Sequence, residues 1–259
     1  MLPVVSIKPA QSPESPKDGR KRRKLEWKEA RLSVARNPDK VTGQYAAMMG
    51  DLEEARSQFV DCIIKERGGQ ATHLHCVGDG APWIANTVKD KFGAQGKATF
   101  LIDFYHVSEY LAAAAEVIAG KQKKPKDEWF GQQKERMKRN QVSDVLKELA
   151  PHCEICEVER GRRETKEKLN EDKQCPVEVC KRYIEKRLNY FDYQGAIQAG
   201  LPIGSGEVES GHGWLIQHRL KLTGAWWLIE NINKMLALRT NRANNEWDAY
   251  RTRLRQAAA

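Results

Sequence analysis

Three acidic residues occupy positions where carboxylates commonly hold metal ions. Asp79 and Asp103 each follow a short apolar segment typical of a β-strand, and Glu209 follows a Gly-Ser-Gly turn and opens a helix. Side chains at the carboxyl ends of strands can project into a shared crevice. Mg²⁺ binds a few carboxylates together with substrate phosphates. Two such ions would stabilise the attacking and leaving oxygens of phosphodiester chemistry, although ordinary turn and cap roles explain the same residue types.

The elements that must position these carboxylates alternate between strands and helices. Apolar patterning predicts strands at Val4–Ile7, Leu25–Val34, Tyr45–Met49, His73–Gly78 and Ala98–Ile102. Helices are predicted after the N-cap Asp51, whose capping box is completed by Glu54, then from Pro82 to Phe92, and from Asp103 to the stop at Gly120. This alternation predicts an α/β layer.

The second half of the chain has a different character. Between residues 121 and 200 strand-like segments disappear, and Asp144–Leu149 and Val177–Tyr190 have helical patterns. We interpret this region as an all-helical insertion. A turn at 201–206 follows, and the pattern from Val208 onward predicts long helices.

Composition excludes several classes of protein. The 259 residues are 40% hydrophobic and 31% charged, which makes a disordered chain a poor interpretation. No window approaches the roughly 18 apolar residues of a membrane span, and the first residues do not form a secretory signal. Six cysteines in a chain of this length do not indicate a disulfide scaffold. We therefore expect a soluble cytoplasmic protein without a membrane partner.

The net charge of +9 (44 basic minus 35 acidic residues) is unevenly distributed. Residues 1–40, 121–190 and 211–259 carry +6, +5 and +5, whereas 41–120 and 191–210 carry −4 and −3. Basic segments around acidic ones fit a polyanion that is presented to carboxylates, and a solvated surface is the alternative. The densest basic run is predicted to be a mobile loop, with Arg20, Lys21, Arg22, Arg23 and Lys24 as DNA-binding residues.

Residues near Glu209 could also contact nucleic acid. Gln217, Arg219 and Lys221 alternate along the following helix and are candidates for phosphate contacts, with a solvated helix face as the alternative. Trp214 is a candidate for stacking on unpaired bases, whereas we expect Trp226 to pack in the core. Gly211 and Gly213 are unfavourable in a helix and indicate either decay of an inactive copy or drift.

Four cysteines have a spacing close to that of a structural zinc site. They form two pairs separated by 18 residues: Cys153 with Cys156, and Cys175 with Cys180. A zinc ion would stabilise the helical insertion, and four unrelated thiols are the alternative.

Five blocks of sequence resemble, in this order, bacterial insertion-sequence transposases of the ISKra family. They are GDGAPWI (78–84), LIDFYHVSEYL (101–111), LPIGSGEVES (201–210), IQHRLKLTGAWW (216–227) and LRTNRANNEW (238–247). The resemblance implies a DDE transposase with an RNase H-like core, which cleaves and joins DNA with Mg²⁺ or Mn²⁺ as cofactor. It also implies double-stranded DNA and further copies of the chain as partners, at the nucleoid.

The resemblance assigns roles to individual residues. Asp79 corresponds to the second catalytic and metal-binding Asp, and Glu209 to the catalytic and metal-binding Glu, whereas Glu207 is not a ligand. Asp103 and His106 would be auxiliary residues near the site. Related transposases carry the first catalytic Asp just before a segment similar to Met1–Val4, so it would lie before residue 1; Asp18, in the Pro-rich loop, is a poor substitute.

Together these observations predict an RNase H-like α/β core with a helical insertion before the catalytic Glu and a helical C-terminus. The core would comprise residues 1–120 and 201–259, and the insertion 121–200. Without the first Asp we expect a transposase that is catalytically incomplete. The alternatives are a non-catalytic DNA-binding remnant or domesticated derivative, and a nuclease of the same fold.

Overall fold

The computed structural model describes residues 2–7, 23–69, 72–93, 97–120, 122–164 and 175–258, with the side chains of 3, 5–7 and 154–164 excepted. The protein is mixed α/β. The strands are β1 (Leu2–Ile7), β2 (Arg23–Lys28), β3 (Arg31–Ala35), β4 (Gln44–Met48), β5 (Leu74–Gly78), β6 (Ala98–Ile102) and β7 (Trp227–Leu228).

Helices account for most of the remaining described residues. They are α1 (Leu52–Lys65), α2 (Pro82–Phe92), α3 (Phe104–Ala119), α4 (Lys123–Lys138), α5 (Val142–Glu164), α6 (Pro176–Glu185), α7 (Tyr193–Gln198), α8 (Gly206–Gly211), α9 (His218–Leu220), α10 (Ile229–Ala243) and α11 (Trp247–Ala258). A π-helical segment, His212–Gln217, joins α8 to α9.

The chain forms two compact units. One unit, which we call the split unit, contains Met1–Thr72 and Gly206–Ala259; the other, the central unit, contains His73–Ser205. The sequence placed its divisions at 120 and 200 instead. The difference arises because α3 and the helices after it share one core, so that no boundary falls at residue 120.

The split unit contains two small sheets and its own core. In one sheet β1 pairs antiparallel with β2 and parallel with β7, and in the other β3 pairs antiparallel with β4. The core combines Leu2 and Val4 of β1 with apolar side chains from α10 and from the segment between α8 and α9. The predicted single strand Leu25–Val34 is two strands, β2 and β3, separated by Glu29 and Ala30.

Helix α10 is fastened to the free edge of β4 by two asparagine side chains. Asn244 accepts from the Tyr45 N–H (2.8 Å) and donates to the Tyr45 carbonyl (2.9 Å). Asn233 makes the same pair of bonds with Met49, at 2.8 and 2.7 Å. Each amide thus replaces a peptide group of a neighbouring strand, which leaves fewer unpaired backbone groups at this edge.

The central unit is built on two parallel strands, β5 and β6, connected through α2. Its core lies between β6, α3 and the helices α4 to α7, with fully buried side chains such as Val107, Met137 and Ile184. The helical prediction for 121–200 is confirmed for the described residues. These helices are not a separate layer, because they complete the core that covers α3.

The predictions for the C-terminal region are partly wrong. Long helices were expected from Val208 onward, but a π-helical segment and the short strand β7 interrupt them. The basic run was expected to be a loop throughout; Arg23 and Lys24 instead belong to β2, while residues 20–22 lie outside the described part of the chain.

Candidate functional site

Asp79 lies in a tight turn at the carboxyl end of β5. Its side chain is exposed, and Oδ1 accepts a hydrogen bond from the Ala81 N–H at 3.0 Å. Gly80 follows with φ of +84°, a left-handed conformation that favours glycine. The turn therefore fixes one carboxylate oxygen and leaves the other available to a ligand.

Two side chains, one from α6 and one from two residues beyond its end, hold this turn from outside. The Tyr183 hydroxyl donates to the Asp79 carbonyl at 2.9 Å, and Arg187 Nε donates to the Gly80 carbonyl at 3.3 Å. The Arg187 guanidinium also lies over the Tyr183 ring, with its carbon 4.1 Å from the ring centre. A Cβ on Gly80 would approach Arg187 Nε to 2.6 Å, so glycine is also required by the close packing of this clamp.

His106 is placed beside the clamp by an aromatic layer. The Tyr110 and Tyr183 rings stack with centroids 4.1 Å apart, and the His106 ring meets them edge-on at 5.4 and 5.7 Å. His106 Nδ1 lies 3.4 Å from the Glu109 carboxylate. Burial raises the pKa of Tyr183, so its hydroxyl remains a hydrogen-bond donor. Sequence patterning predicted a helix over Tyr183 but gave no indication of this contact.

Asp103 occupies the equivalent position after β6 but has a different environment. Its side chain is only 2% exposed. Oδ1 accepts from the N–H groups of Tyr105 (2.7 Å) and His106 (3.2 Å), which caps α3. Oδ2 accepts from the Ser205 N–H at 2.7 Å and from the Ser205 hydroxyl. Both oxygens are occupied, so Asp103 fastens the Gly-Ser-Gly turn to the start of α3.

The third predicted carboxylate, Glu209, belongs to the split unit. It lies exposed in α8, and within the described residues it forms no ion pair. Its neighbour Glu207 is engaged by Arg36, with 3.0 Å between Nε and Oε2. Of the two glutamates, Glu209 is therefore the one whose carboxylate is free to bind a ligand. In the described part of the chain, no group of three or more His, Cys, Asp or Glu side chains is arranged to hold a metal ion.

The predicted DNA-binding residues have diverse environments. Trp214 is half-buried and packs edge-on against Tyr45 at 5.4 Å, and its stacking on bases stays a prediction. Trp226 is 39% exposed, so the expectation that it packs in the core is wrong. Gln217 is bonded to His212 at 2.9 Å. The guanidinium of Arg219 lies over the Trp227 ring, and Lys221 is exposed.

In the basic run, Arg23 is exposed and Lys24 is paired with Glu26, because both side chains point to the same face of β2. Arg20, Lys21 and Arg22 lie outside the described residues. Among the predicted DNA-binding residues, Arg219 thus lies against another side chain of the split unit, that of Trp227.

The cysteine set gives no support to a zinc site. Cys153 and Cys180 are buried and form no disulfide, whereas Cys175 is disulfide-bonded. The side chain of Cys156 lies outside the described residues. Burial raises the pKa of the Cys180 thiol to about 12, which opposes formation of the thiolate that zinc requires. Zinc at these positions stays a prediction of the spacing alone.

Comparison of the chain with protein-family models, with curated proteins and with solved structures gives no match. Among the described helices, none combines the length and the apolar character needed to cross a membrane.

Proposed function

We propose that this protein is a transposase of the DDE type with an RNase H-like core, in which Asp79 and Glu209 bind Mg²⁺ and whose catalytic site is incomplete. The observation that carries the proposal is the Asp79 turn. Its backbone is held by the Tyr183 hydroxyl and by Arg187, yet its carboxylate is exposed. A carboxylate on a fixed backbone at a strand end suits a cation that must be held in a constant position. The ISKra-like blocks supply the reaction class.

The residues fit this cofactor unequally. Asp79 has one carboxylate oxygen without a bond to the described residues, and Glu209 has no ion pair there. Asp103 does not fit, because four donors already occupy its two oxygens. When bound, Mg²⁺ would supply charge stabilisation for the oxygens of a phosphodiester. The contribution of this chain is to hold the Asp79 carboxylate through its clamped turn.

The test compares two neighbouring glutamates. Glu209→Gln and Asp79→Asn should abolish whatever Mg²⁺- or Mn²⁺-dependent cleavage of a supercoiled plasmid the parent chain shows, because each removes a charged ligand. Glu207→Gln is the matched control, since it makes the same chemical change two residues away at a carboxylate paired with Arg36. Binding of Mn²⁺, followed by electron paramagnetic resonance, gives a second readout. Loss of both properties in the Glu207→Gln variant alone would contradict the assignment.

A second candidate is a DNA-binding protein without catalytic activity. It is favoured by the engagement of Asp103, which leaves Asp79 as the only available carboxylate of the two strand-end aspartates. On this alternative the protein binds DNA through its basic segments as a homo-oligomer. Plasmid binding without Mn²⁺ binding and without cleavage would favour it over the enzyme.

A further inference from the structure

Three arginines of the split unit converge around the π-helical segment. Arg239 and Arg242 lie on α10, three residues apart and therefore on the same side of the helix. The guanidinium of Arg239 donates to the carbonyls of Trp214 and Leu215. Carbonyls in a π-helical turn accept from the i+5 N–H and keep a second lone pair for a side-chain donor, so these two bonds fix Arg239 in place. Arg219 follows in α9.

No carboxylate balances these three charges in the described part of the chain. None of the ion pairs there includes Arg219, Arg239 or Arg242, although the same unit pairs Arg36 with Glu207 and Lys65 with Glu246. Burial, together with the charges of Arg219 and Arg242, lowers the pKa of Arg239. Arg219 and Arg242 are thus each close enough to Arg239 to repel it, which is unfavourable unless an anion offsets the charge.

The geometry of Arg219 leaves its hydrogen-bond donors free. Its guanidinium carbon lies 5.5 Å from the centre of the Trp227 ring, a cation–π contact that does not require its N–H groups. Arg219 and Arg242 are both exposed and donate no hydrogen bond to another described residue. Lys221 adds a further exposed cation, close enough to contribute to the lowered pKa of the half-buried His212.

We propose that Arg219, Arg239 and Arg242, which we call the arginine cluster, bind phosphate groups of a nucleic-acid backbone. Guanidinium forks match phosphate oxygens bidentately, and an arginine held over an aromatic ring loses little further freedom when it binds. Several such groups near one another favour a polymer of phosphates over a single small anion. The choice of DNA as the polymer rests on the proposed function; the phosphodiester chemistry rests on the cluster itself.

The test measures binding of a fluorescein-labelled DNA duplex by anisotropy over a series of salt concentrations. Arg219→Gln and Arg242→Gln should each weaken binding about tenfold at ~100 mM salt and lower the slope of log K against log salt by about one. Arg239 is not substituted, because it also supports the π-helical carbonyls. Arg251→Gln and Arg255→Gln, at exposed positions of α11, are matched controls of equal charge change.

Three results would overturn the proposal. The first is equal loss of affinity in the α11 controls, which would indicate diffuse attraction. The second is unchanged binding in both cluster variants. The third is cluster-dependent binding of inorganic phosphate alone, followed by ³¹P NMR, with DNA affinity unaffected. Failure of the proposed function is distinguishable, because that function is tested by Mn²⁺ binding in Asp79→Asn and Glu209→Gln and not by DNA affinity; cluster-dependent DNA binding by a parent chain that does not bind Mn²⁺ would remove the proposed function and keep the cluster.

Discussion

Substitution of Asp103 tests whether this carboxylate stabilises the fold or binds a metal ion. Loss of a structural carboxylate lowers the free energy of unfolding, whereas loss of a metal ligand raises it in metal-free buffer. In Asp103→Ala the capping bonds to Tyr105 and His106 are lost, which costs about 1 kcal/mol. The buried Ser205 N–H also loses its charged acceptor, at a cost of about 1.5–3 kcal/mol. The small cavity left by the side chain adds a further cost, so we expect the free energy of unfolding to fall by about 3–5 kcal/mol.

Asp103→Asn is the sharper variant because it changes the shape very little. Its amide oxygen can continue to cap α3, so the amide nitrogen then faces the Ser205 N–H, and two donors oppose each other. The Ser205 hydroxyl can rotate to accept from the amide, which limits the loss to about 2 kcal/mol. Asp79→Asn is the matched control: its side chain is exposed and makes one local bond, so we expect a change below about 0.5 kcal/mol.

The assay is equilibrium urea unfolding followed by far-ultraviolet circular dichroism, with equal slopes required for comparison. A metal-binding carboxylate close to another carboxylate usually destabilises the metal-free protein, so its removal raises stability. If Asp103→Asn proved as stable as the parent chain, or more stable, in metal-free buffer, the structural role assigned here would be refuted. Asp103 would then be a candidate metal ligand.

Three further outcomes are expected from the structure. Gly211→Ala should be less stable than Gly213→Ala by about 1 kcal/mol in urea unfolding. The reason is that a Cβ at 211 meets Leu32 and Tyr45 at 3.1 Å, while one at 213 meets nothing within 4 Å. Equal free energies of unfolding for the two variants would contradict this. Asn244→Ala should cost about 2 kcal/mol by removing both bonds to the β4 edge, and Asn241→Ala, which loses a bond within α10, is the control. Three thiols with a pKa raised to about 12 should resist iodoacetamide at pH 8 until urea is added, as followed by mass spectrometry; they are the buried Cys62 and Cys180 and the half-buried Cys76. Because unfolded thiols ionise near pH ~8.5, stability should fall as pH rises from about 9 towards 12.

Local signals in the sequence predicted elements of both units. Pro82 at a helix start and the apolar run Ala98–Ile102 gave α2 and β6 with their observed bounds. Asp51 accepts from the Glu54 N–H as the capping prediction requires. These features depend on neighbours within a few residues, so their physics is visible in a short window of sequence.

The features that were missed depend on contacts between distant residues. Strand β7 has two residues and no periodicity of its own; it exists because Val4 and Val5 pair with it. The clamp on the Asp79 turn joins residues 104 and 107 positions apart. The sequence suggested decay or drift at Gly211 and gave no sign of its packing: this glycine lies against Leu32 and Tyr45, where a side chain does not fit freely.

Asp79 and Asp103 show why residue type and spacing could not tell which carboxylate is available to a metal ion. Both follow parallel strands that pair with each other, and both precede helices, so the sequence treats them alike. The difference comes from their partners: Ser205 and the start of α3 use both oxygens of Asp103, whereas Tyr183 and Arg187 bind only the backbone beside Asp79. The carboxylate of Asp103 is fully engaged in holding the fold together, whereas that of Asp79 remains exposed on a fixed backbone. The region between residues 121 and 200 is therefore part of the candidate site, because Tyr183 of α6 and the following Arg187 are the two side chains that support the Asp79 turn.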